Sequence, residues 1–345
     1  MSQIAIIGAG AWGTGLAIVL GRKGSHRVRL WAHEPDVCES ITQRRVNEQF
    51  LPGRQLPDSV SASNDLAVVL DGAKIVVSVM PSQHCRALFK RMRQLISKNA
   101  LIVSATKGLE QESLLRMTEV IQQVLRDEKN AGGVGSDFPV GALSGPSFAQ
   151  EVARGDPTAI TIASEGSDLL RIVQQEFSDA SFRVYTNSDI IGVELGGALK
   201  NIIAIAAGIC DGLGLGHNSV AALITRGLAE MTRLVVACGG RAETMAGLAG
   251  LGDLVLTCTG GLSRNRSVGV ELGRGKKLPE IIAGMRGMVA EGVFTTTAAV
   301  GLAHARGVEM PITEQMHAIL HEGKSPKEAI QHLMTRTGKS EVGSN

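Results

Sequence analysis

The first half of the chain alternates short apolar runs with stretches of helical spacing. The runs are rich in β-branched and other apolar residues, as in buried strands, and occupy residues 4–7, 28–31, 75–79, 101–104, 141–144, 159–163 and 182–186. Strands that alternate with helices typically form a doubly wound, mostly parallel sheet. We therefore expect an α/β domain of Rossmann type over residues 1–187.

Beyond residue 187 the strand patterns fade and helical spacing dominates. It is found at 202–210, 220–238, 280–288, 296–306, 313–321 and 326–333. We therefore expect an all-helical second domain over 188–337, followed by a polar, flexible tail at 338–345. Small and polar residues at 130–137 predict an exposed loop in the first domain.

Length and composition agree with two globular domains and argue against several partners. A chain of 345 residues is too long for one ordinary core. A formal net charge of +2 argues against nucleic acid or an anionic membrane as the main partner, and 3% aromatic residues argue against a base-stacking surface. We expect no nucleic-acid partner and no stable membrane insertion.

The five cysteines indicate a reducing environment. They are scattered, odd in number and never in CxxC spacing, which fits neither a disulfide framework nor a zinc site. We therefore expect no metal site and a cytoplasmic location.

The first apolar run leads directly into a glycine-rich turn. Gly8, Gly10 and Gly13 follow a predicted strand and precede a predicted helix, as a βαβ unit requires. In a dinucleotide-binding turn the first glycine permits the bend, the second lets backbone approach a pyrophosphate, and the third lets the helix pack closely. The alternative is a signal peptide or membrane anchor over 4–20, which four interrupting glycines and the lack of a preceding basic residue disfavour.

Polar residues follow the ends of two predicted strands. Pro81 and Gln83 come after the run 75–79, and Lys107 comes after the run 101–104. The carboxyl ends of parallel strands open onto the ligand crevice of such a sheet. Lys107 is therefore a candidate ligand contact, with a solvated loop charge as the alternative.

Lys200 stands in a predicted helix whose neighbouring turns offer it no partner. Gly196 and Gly197 lie one turn before it, and Ala204 lies one turn after it. Two glycines inside a helix cost about 1 kcal/mol each relative to alanine, which indicates a purpose. This small surface either leaves room for a ligand or packs closely on another helix, with Lys200 reaching past it towards solvent.

Another polar cluster precedes a predicted helix in the second domain. Ser263, Arg264 and Asn265 could jointly hold a phosphate through a guanidinium and backbone amides. An N-cap role for Ser263 or Asn265, and a solvated pair of Arg264 with Arg266, are the alternatives. Asp253 is unsuited to a phosphate because like charges repel, but it could accept a hydrogen bond from an alcohol or hold a lysine.

With these motifs in order, the chain closely resembles the bacterial NAD(P)-dependent glycerol-3-phosphate dehydrogenases over about residues 1–335. The matching segments are 8–14 (GAGAWGT), 50–52 (FLP), 106–109 (TKGL), 143–149 (LSGPSFA), 194–201 (ELGGALKN), 250–253 (GLGD), 263–265 (SRN) and 289–292 (VAEG). The resemblance implies a Rossmann-type domain paired with an all-helical domain like that of 6-phosphogluconate dehydrogenase. It also implies a homodimer.

The resemblance implies roles for single residues as well. It makes Lys200 the catalytic general acid/base and Lys107 a contact of both cofactor and substrate. The implied contacts of glycerol 3-phosphate are Lys107, Gly145, Ser147, Lys200, Asp253, Ser263, Arg264 and Asn265. The implied contacts of NADP(H) or NAD(H) are Gly8, Gly10, Ala11, Trp12, Gly13, His33, Phe50, Lys107, Ala149, Arg264, Val289 and Glu291.

Two positions depart from the common pattern of that family. Ala11 stands where many members have serine, so backbone amides must bind the pyrophosphate without that hydroxyl. His33 and Glu34 stand where many members have arginine. An arginine favours a 2′-phosphate and a carboxylate favours a free 2′-hydroxyl, so the choice between NADPH and NADH stays open.

The implied reaction is the reversible reduction of dihydroxyacetone phosphate to sn-glycerol 3-phosphate, which feeds glycerophospholipid synthesis. Hydride transfer at C2 requires a proton for the developing alkoxide, which Lys200 would supply. A free lysine has a pKa of about 10.4, so we expect burial or the charge of Lys107 to lower the pKa of Lys200.

Two other functions are compatible with parts of the pattern. A different NAD(P)-dependent 2-hydroxyacid or ketopantoate-type reductase is the nearest, but the segment 263–265 gives it no support. A non-catalytic nicotinamide-sensing protein would keep the glycine turn without needing Lys107, Lys200 and Asp253 together.

Overall fold

The computed structural model of the chain describes residues 2–126, 138–285, 287–338 and 340–341. The loop predicted at 130–137, and most of the tail predicted at 338–345, lie outside the described residues. An eight-stranded sheet with flanking helices forms the first part of the chain and helices form the second, which confirms the predicted fold class.

A mainly parallel sheet is the centre of the first part. The strands are β1 (Ser2–Ile7), β2 (His26–Trp31), β3 (Val46–Asn47), β4 (Leu51–Gln55), β5 (Val60–Ser63), β6 (Ile75–Ser78), β7 (Leu101–Ser104), β8 (Val140–Ser144), β9 (Thr158–Ala163) and β10 (Phe182–Asn187). The sheet has the order β10-β9-β8-β7-β6-β1-β2-β5, and its neighbours are parallel except for β8 and β9. Strands β3 and β4 form a separate antiparallel pair.

Helices cover both faces of this sheet. They are α1 (Ala11–Arg22), α2 (Pro35–Arg44), α3 (Leu66–Leu70), α4 (Cys85–Met92), α5 (Met117–Arg126), α6 (Ala149–Arg154) and α7 (Ser167–Phe177). Buried side chains of α1, α2, α6 and α7 join one apolar cluster, and those of α3, α4 and α5 join another. Because β1 and α1 lie in the core, residues 4–20 are part of the folded domain.

The second part of the chain is helical. Its helices are α8 (Ile190–Gly212), α9 (His217–Ala237), α10 (Ala242–Met245), α11 (Asp253–Thr259), α12 (Arg264–Gly273), α13 (Leu278–Gly284), α14 (Glu291–Arg306), α15 (Pro311–His321) and α16 (Pro326–Met334). A π-helical turn, Leu248–Gly252, leads into α11.

Helix α8 is the centre of this second part. It is long and apolar enough to cross a membrane, but 89% of its most apolar stretch is buried inside the protein, as in a core helix. Gly208 and Gly212 on α8 face Gly269 and Gly273 on α12, and a Cβ on Gly208 would lie 2.0 Å from the carbonyl oxygen of Arg266. These glycines let the two backbones pack in direct contact.

Candidate active site

The three glycines of the first turn have different surroundings. Gly8 has φ +122°, and a Cβ there would lie 2.4 Å from the carbonyl oxygen of Val79. A Cβ on Gly13 would lie 1.9 Å from the carbonyl oxygen of Gly8, whereas a Cβ on Gly10 would meet nothing within 4 Å. The outer two glycines are therefore required by packing, and Gly10 faces open space at the N-terminus of α1.

The start of α1 has further features that fit a dinucleotide. Ala11 and Trp12 are its first two residues, so their backbone N–H groups are free of helical partners. The indole Nε1 of Trp12 is buried without a hydrogen-bond partner among the described residues. Free amides at a helix N-terminus bind phosphate groups well. The turn therefore fits the pyrophosphate of a nicotinamide cofactor.

A buried asparagine is hydrogen-bonded to this turn. Asn47 Nδ2 donates to the carbonyl oxygen of Ala9 at 2.7 Å and to Thr14 Oγ1 at 2.8 Å, and Asn47 Oδ1 accepts from the backbone N–H of Phe50 at 3.0 Å. The segment that carries Phe50 is thereby tied to the glycine turn. Nothing in the sequence pattern had indicated this role for Asn47.

The other proposed cofactor contacts of the first domain lie near the same strand ends. His33 is exposed just after β2, and its ring centroid lies 5.7 Å from that of Trp31. Gly8 donates its backbone N–H to the carbonyl oxygen of Trp31, which places the end of β2 beside the turn. Ala149 begins α6, and a Cβ on Gly15 of α1 would lie 3.4 Å from the carbonyl oxygen of Ala149.

Two lysines meet on one buried carboxylate. Lys107, after β7, donates through Nζ to Asp253 Oδ2 at 2.7 Å, and Lys200, on α8, donates through Nζ to Asp253 Oδ1 at 2.5 Å. Asp253 is 1% exposed, so both ion pairs are shielded from water. The structure thus places Lys107, Lys200 and Asp253 together, and Asp253 holds both lysines.

The surroundings of Lys200 shift its proton affinity. Its Nζ also donates to Thr257 Oγ1 at 2.7 Å. Burial lowers the pKa of Lys200 to about 8, against the attraction of Asp253, and the charge of Lys107 acts in the same direction as burial. Burial alone would raise the pKa of Asp253, but the two lysines outweigh it and lower that pKa.

The two glycines before Lys200 are packed, not open. A Cβ on Gly196 would lie 2.7 Å from the carbonyl oxygen of Ala249, and a Cβ on Gly197 would lie 2.5 Å from Ser144 Oγ. Of the alternatives for this surface, close packing is what the structure shows. Lys200 does not reach solvent there, because it bonds Asp253 and Thr257 in the interior.

Gly145 and Ser147 lie beside Lys107. The carbonyl oxygen of Gly145 accepts from Lys107 Nζ and from Ser147 Oγ, both at 2.9 Å. Gly145 has φ +140°, and a Cβ there would lie 2.9 Å from the Cα of Ile160. The loop after β8 is therefore held in a conformation that favours glycine.

Asn265 belongs to an amide network that joins the predicted motifs. Its Nδ2 donates to Asn201 Oδ1 at 2.9 Å, and its Oδ1 accepts from the backbone N–H of Gly292 at 3.0 Å. Asn201 Nδ2 in turn donates to the carbonyl oxygen of Lys107 at 3.3 Å. Ser263 is the N-cap of α12, since its side chain accepts from the backbone N–H of Arg266. The N-cap role that was the alternative for Ser263 is therefore present in the structure.

Arg264 differs from its neighbours in the contacts of its side chain. It is exposed, and its guanidinium forms no hydrogen bond or ion pair with any residue in the described ranges. Desolvation by the surrounding protein lowers the pKa of Arg264 below its ordinary value, against the attraction of the Glu291 carboxylate. Arg266 instead pairs with Asp211, so the two arginines are not one solvated pair.

Glu291 connects the two parts of the chain. It begins α14, and its carboxylate accepts from the backbone N–H of Ser82 at 3.0 Å and from Ser82 Oγ at 2.6 Å. Burial raises the pKa of Glu291, against the hydrogen bonds from Ser82. A Cβ on Gly108 would lie 2.8 Å from this carboxylate, and Val289 lies half-buried just before it.

Four residues at the site carried little or no sequence indication of their contacts. Thr257 lies one helical turn after Asp253, and Asn201 directly follows Lys200, so proximity to a candidate could have identified both. Ser82 meets Glu291 across 209 positions and Asn47 meets Ala9 across 38. No local spacing indicates such contacts.

Comparison with known proteins identifies the relatives of this chain. The profile of the NAD-dependent glycerol-3-phosphate dehydrogenase N-terminus matches residues 3–170, and that of the corresponding C-terminus matches residues 189–331. A protein of Koribacter versatilis (strain Ellin345), called glycerol-3-phosphate dehydrogenase [NAD(P)+], is 66% identical over 99% of this chain and 99% of its own length.

Solved structures support the same relationship. The crystal structure of glycerol-3-phosphate dehydrogenase from Coxiella burnetii has a TM-score of 0.91 and 44% identity, covering 97% of this chain and 99% of that one. A ketopantoate reductase from Ralstonia eutropha JMP134 has a TM-score of 0.58 and 19% identity, covering 95% and 99%, and so shares the fold alone. The ketopantoate-type alternative is therefore disfavoured.

Proposed function

This chain belongs to the NAD-dependent glycerol-3-phosphate dehydrogenase family, and on that premise we propose that Lys200 is the general acid in reduction of dihydroxyacetone phosphate. The protein is an NAD(P)-dependent oxidoreductase of glycerol 3-phosphate. The observation that carries the proposal is the buried carboxylate of Asp253, which Lys107 and Lys200 share. With its pKa lowered to about 8 by burial, Lys200 is a suitable proton donor near neutral pH.

The proton transfer follows from this arrangement. When bound, the reduced nicotinamide supplies the hydride that adds to C2 of dihydroxyacetone phosphate. Lys200 gives a proton from Nζ to the C2 oxygen as it becomes an alkoxide, so that one hydride and one proton convert the ketone to an alcohol. The charge of Lys107 stabilises negative charge at that oxygen. In the reverse direction, neutral Lys200 accepts the proton.

The phosphate end of the substrate is assigned to the start of α12. The guanidinium of Arg264 has no hydrogen-bond partner in the part of the chain that the structure describes, whereas Ser263 and Asn265 already make hydrogen bonds within the protein. A guanidinium can bind two phosphate oxygens at once. We assign Arg264 to the phosphate, with Ser263 and Asn265 beside it, and Gly145 and Ser147 to the glycerol end.

The cofactor is assigned mainly to residues 1–187, and the catalytic lysine to residues 188–337. The glycine turn would hold the pyrophosphate, since Gly10 leaves space for it and the first backbone N–H groups of α1 have no helical partners. The remaining proposed contacts are Ala11, Trp12, His33, Phe50, Lys107, Ala149, Arg264, Val289 and Glu291.

The cellular setting is also a proposal. We place the protein in the cytoplasm as a homodimer whose product supplies the glycerol backbone of phospholipids, as the resemblance implies. Leu251 and Val255, one helical turn apart, are 37% and 40% exposed and offer an apolar surface for a second copy. Sedimentation equilibrium should give twice the monomer mass.

The activity assay compares substrates and cofactors side by side. Purified protein is mixed with NADPH or NADH and either dihydroxyacetone phosphate or ketopantoate, and loss of nicotinamide absorbance is followed. We expect oxidation only with dihydroxyacetone phosphate, at rates that rank the two cofactors. Oxidation with ketopantoate alone would favour the other reductase, and cofactor binding without any oxidation would favour a sensor.

A further inference from the structure

A carboxylate outside the proposed substrate contacts joins α8 to the first part of the chain. Glu194 lies on α8, six residues before Lys200, and its side chain is 6% exposed. Its Oε1 accepts from the backbone N–H of Thr118 at 2.9 Å. Its Oε2 accepts from Thr118 Oγ1 at 2.5 Å and from Arg116 Nη1 at 2.6 Å. Three hydrogen bonds thus cross between α8 and the start of α5.

Arg116 pairs with two carboxylates that lie on different helices. Besides Glu194, its guanidinium pairs with Glu119 Oε1 at 2.8 Å, and its backbone N–H donates to Glu119 Oε2 at 2.9 Å. Glu119 is on α5 itself and its side chain is 38% exposed. Among the described residues, the bond to Glu194 is therefore the one that connects Arg116 to α8, and it is the more deeply buried of the two ion pairs.

The segment that ends at Thr118 begins at the other active-site lysine. Residues 107–118 run from Lys107 to the start of α5, and α8 bonds both ends of this segment. Glu194 binds one end, and Asn201 Nδ2 donates to the carbonyl oxygen of Lys107 at the other. Seven residues separate Glu194 from Asn201, which is about two helical turns, so both bonds lie on the same side of α8.

Lys200 stands next to one of these two attachments. Because Lys107 and Lys200 bond the two oxygens of one carboxylate, a sliding of α8 along segment 107–118 would stretch at least one of the bonds of 2.7 and 2.5 Å. Hydrogen bonds of this kind weaken when the heavy atoms separate beyond about 3.2 Å. The register between α8 and this segment therefore controls the geometry of the site.

We propose that Glu194 is a positioning residue for proton transfer: by binding Thr118 and Arg116 it fixes α8 against segment 107–118 and so keeps Lys200 and Lys107 on Asp253. This inference rests on the proposed role of Lys200. The hydrogen bonds of the Glu194 carboxylate within the described ranges go to Thr118 and Arg116, neither of which is a proposed contact of substrate or cofactor. Its loss should disturb proton transfer and leave cofactor binding intact.

A matched pair of substitutions separates this role from a general effect on Arg116. Glu194→Gln and Glu119→Gln each remove one carboxylate from the same guanidinium, but only the first breaks the connection to α8. For Glu194→Gln we expect kcat for dihydroxyacetone phosphate to fall about tenfold or more, with the Kd for NADPH changed by less than about twofold. Glu119→Gln should leave both constants near those of the wild type.

The pH profile gives a readout that a purely structural role would not move. Asp253, Lys107 and Cys258 are the titratable groups that act on Lys200. Burial is the largest influence on the pKa of Lys200, larger than the attraction of Asp253. Looser packing would admit water and raise that pKa even though the ion pair weakens, so in Glu194→Gln the alkaline fall of kcat/KM should shift to higher pH. Thr118→Val removes one hydrogen-bond donor and keeps the shape of the side chain. It should shift the alkaline fall of kcat/KM in the same direction, but by a smaller amount.

Three results would overturn this inference. One is a Glu194→Gln protein with lower Tm but unchanged kcat and pH profile, which would make Glu194 a stabilising residue only. Another is an equal fall of kcat in Glu119→Gln. The third is a rise in the Kd for NADPH of Glu194→Gln that is large enough to account for its fall in kcat. If instead the wild type showed no alkaline fall near pH 8, the role of Lys200 would fail, which is a separate outcome.

Discussion

The ammonium groups of Lys107 and Lys200 lie on opposite oxygens of one buried carboxylate, at 2.7 and 2.5 Å. Each lysine comes from a different part of the chain, and Asp253 between them is 1% exposed. Removing one partner from a buried ion pair typically costs several kcal/mol, because the remaining charge is left unpaired. The arrangement therefore makes the protonation state of Lys200 depend on its immediate partners.

The rate of reduction should fall as the pH rises above about 8. Burial lowers the pKa of Lys200 to about 8. Reduction needs the protonated form, which is lost above that pH, whereas oxidation of glycerol 3-phosphate needs the neutral form, which is gained there. We expect kcat/KM to decrease with pH in the reductive direction and to increase in the oxidative direction. Profiles that move in the same direction on this limb would contradict the assignment.

Gly10 and Gly13 should respond differently to the same substitution. Gly13→Ala would place a Cβ 1.9 Å from a backbone carbonyl and should lower the free energy of unfolding by about 2 kcal/mol or more. Gly10→Ala would enter open space and should cost less than about 1 kcal/mol, but its methyl group should raise the Kd for NADPH about tenfold or more. Urea unfolding and fluorescence titration measure the two quantities. Normal NADPH affinity in Gly10→Ala would show that the pyrophosphate lies elsewhere.

Arg264→Ala should separate substrate affinity from stability. Because this guanidinium has no partner in the described part of the chain, its removal should change Tm little. With NADPH saturating, so that the proposed cofactor contact of Arg264 does not limit the rate, the loss of a phosphate contact should lower kcat/KM for dihydroxyacetone phosphate about 100-fold. The slow reduction of unphosphorylated dihydroxyacetone should stay nearly unchanged. Arg266→Ala, which loses the ion pair with Asp211, is the control. An equal loss for both ketones would exclude Arg264 from phosphate binding.

Much of the fold is predictable because its strands are buried on both faces. Short continuous apolar runs such as those of β6 and β8 are typical of strands inside a parallel sheet that helices cover on both sides. Strand β4 was not predicted, since it contains Pro52 and Gly53, which strands ordinarily avoid. Strand β5 was missed as well, because Val60 is its one buried residue and its remaining residues are small and partly exposed.

The site is predictable in its residues but not in their contacts. The motifs identify Lys107, Lys200 and Asp253 separately, yet 146 positions separate Lys107 from Asp253 and 53 separate Lys200 from Asp253. From the helical spacing around Lys200 one can infer only that the neighbouring turns of its own helix hold no residue that could pair with it. Its partners Asp253 and Thr257 both belong to α11, which packs against α8, and Lys107 reaches the same carboxylate from the loop after β7.

Replacement of Lys200 by alanine tests the central claim most directly. The measurement is kcat for NADPH-dependent reduction of dihydroxyacetone phosphate, beside the Kd for NADPH from fluorescence, with exposed Lys98→Ala as the control. We expect kcat to fall at least about 100-fold while the Kd changes by less than about twofold, and Lys98→Ala to match the wild type. Turnover near the wild-type value in Lys200→Ala would remove Lys200 from the mechanism.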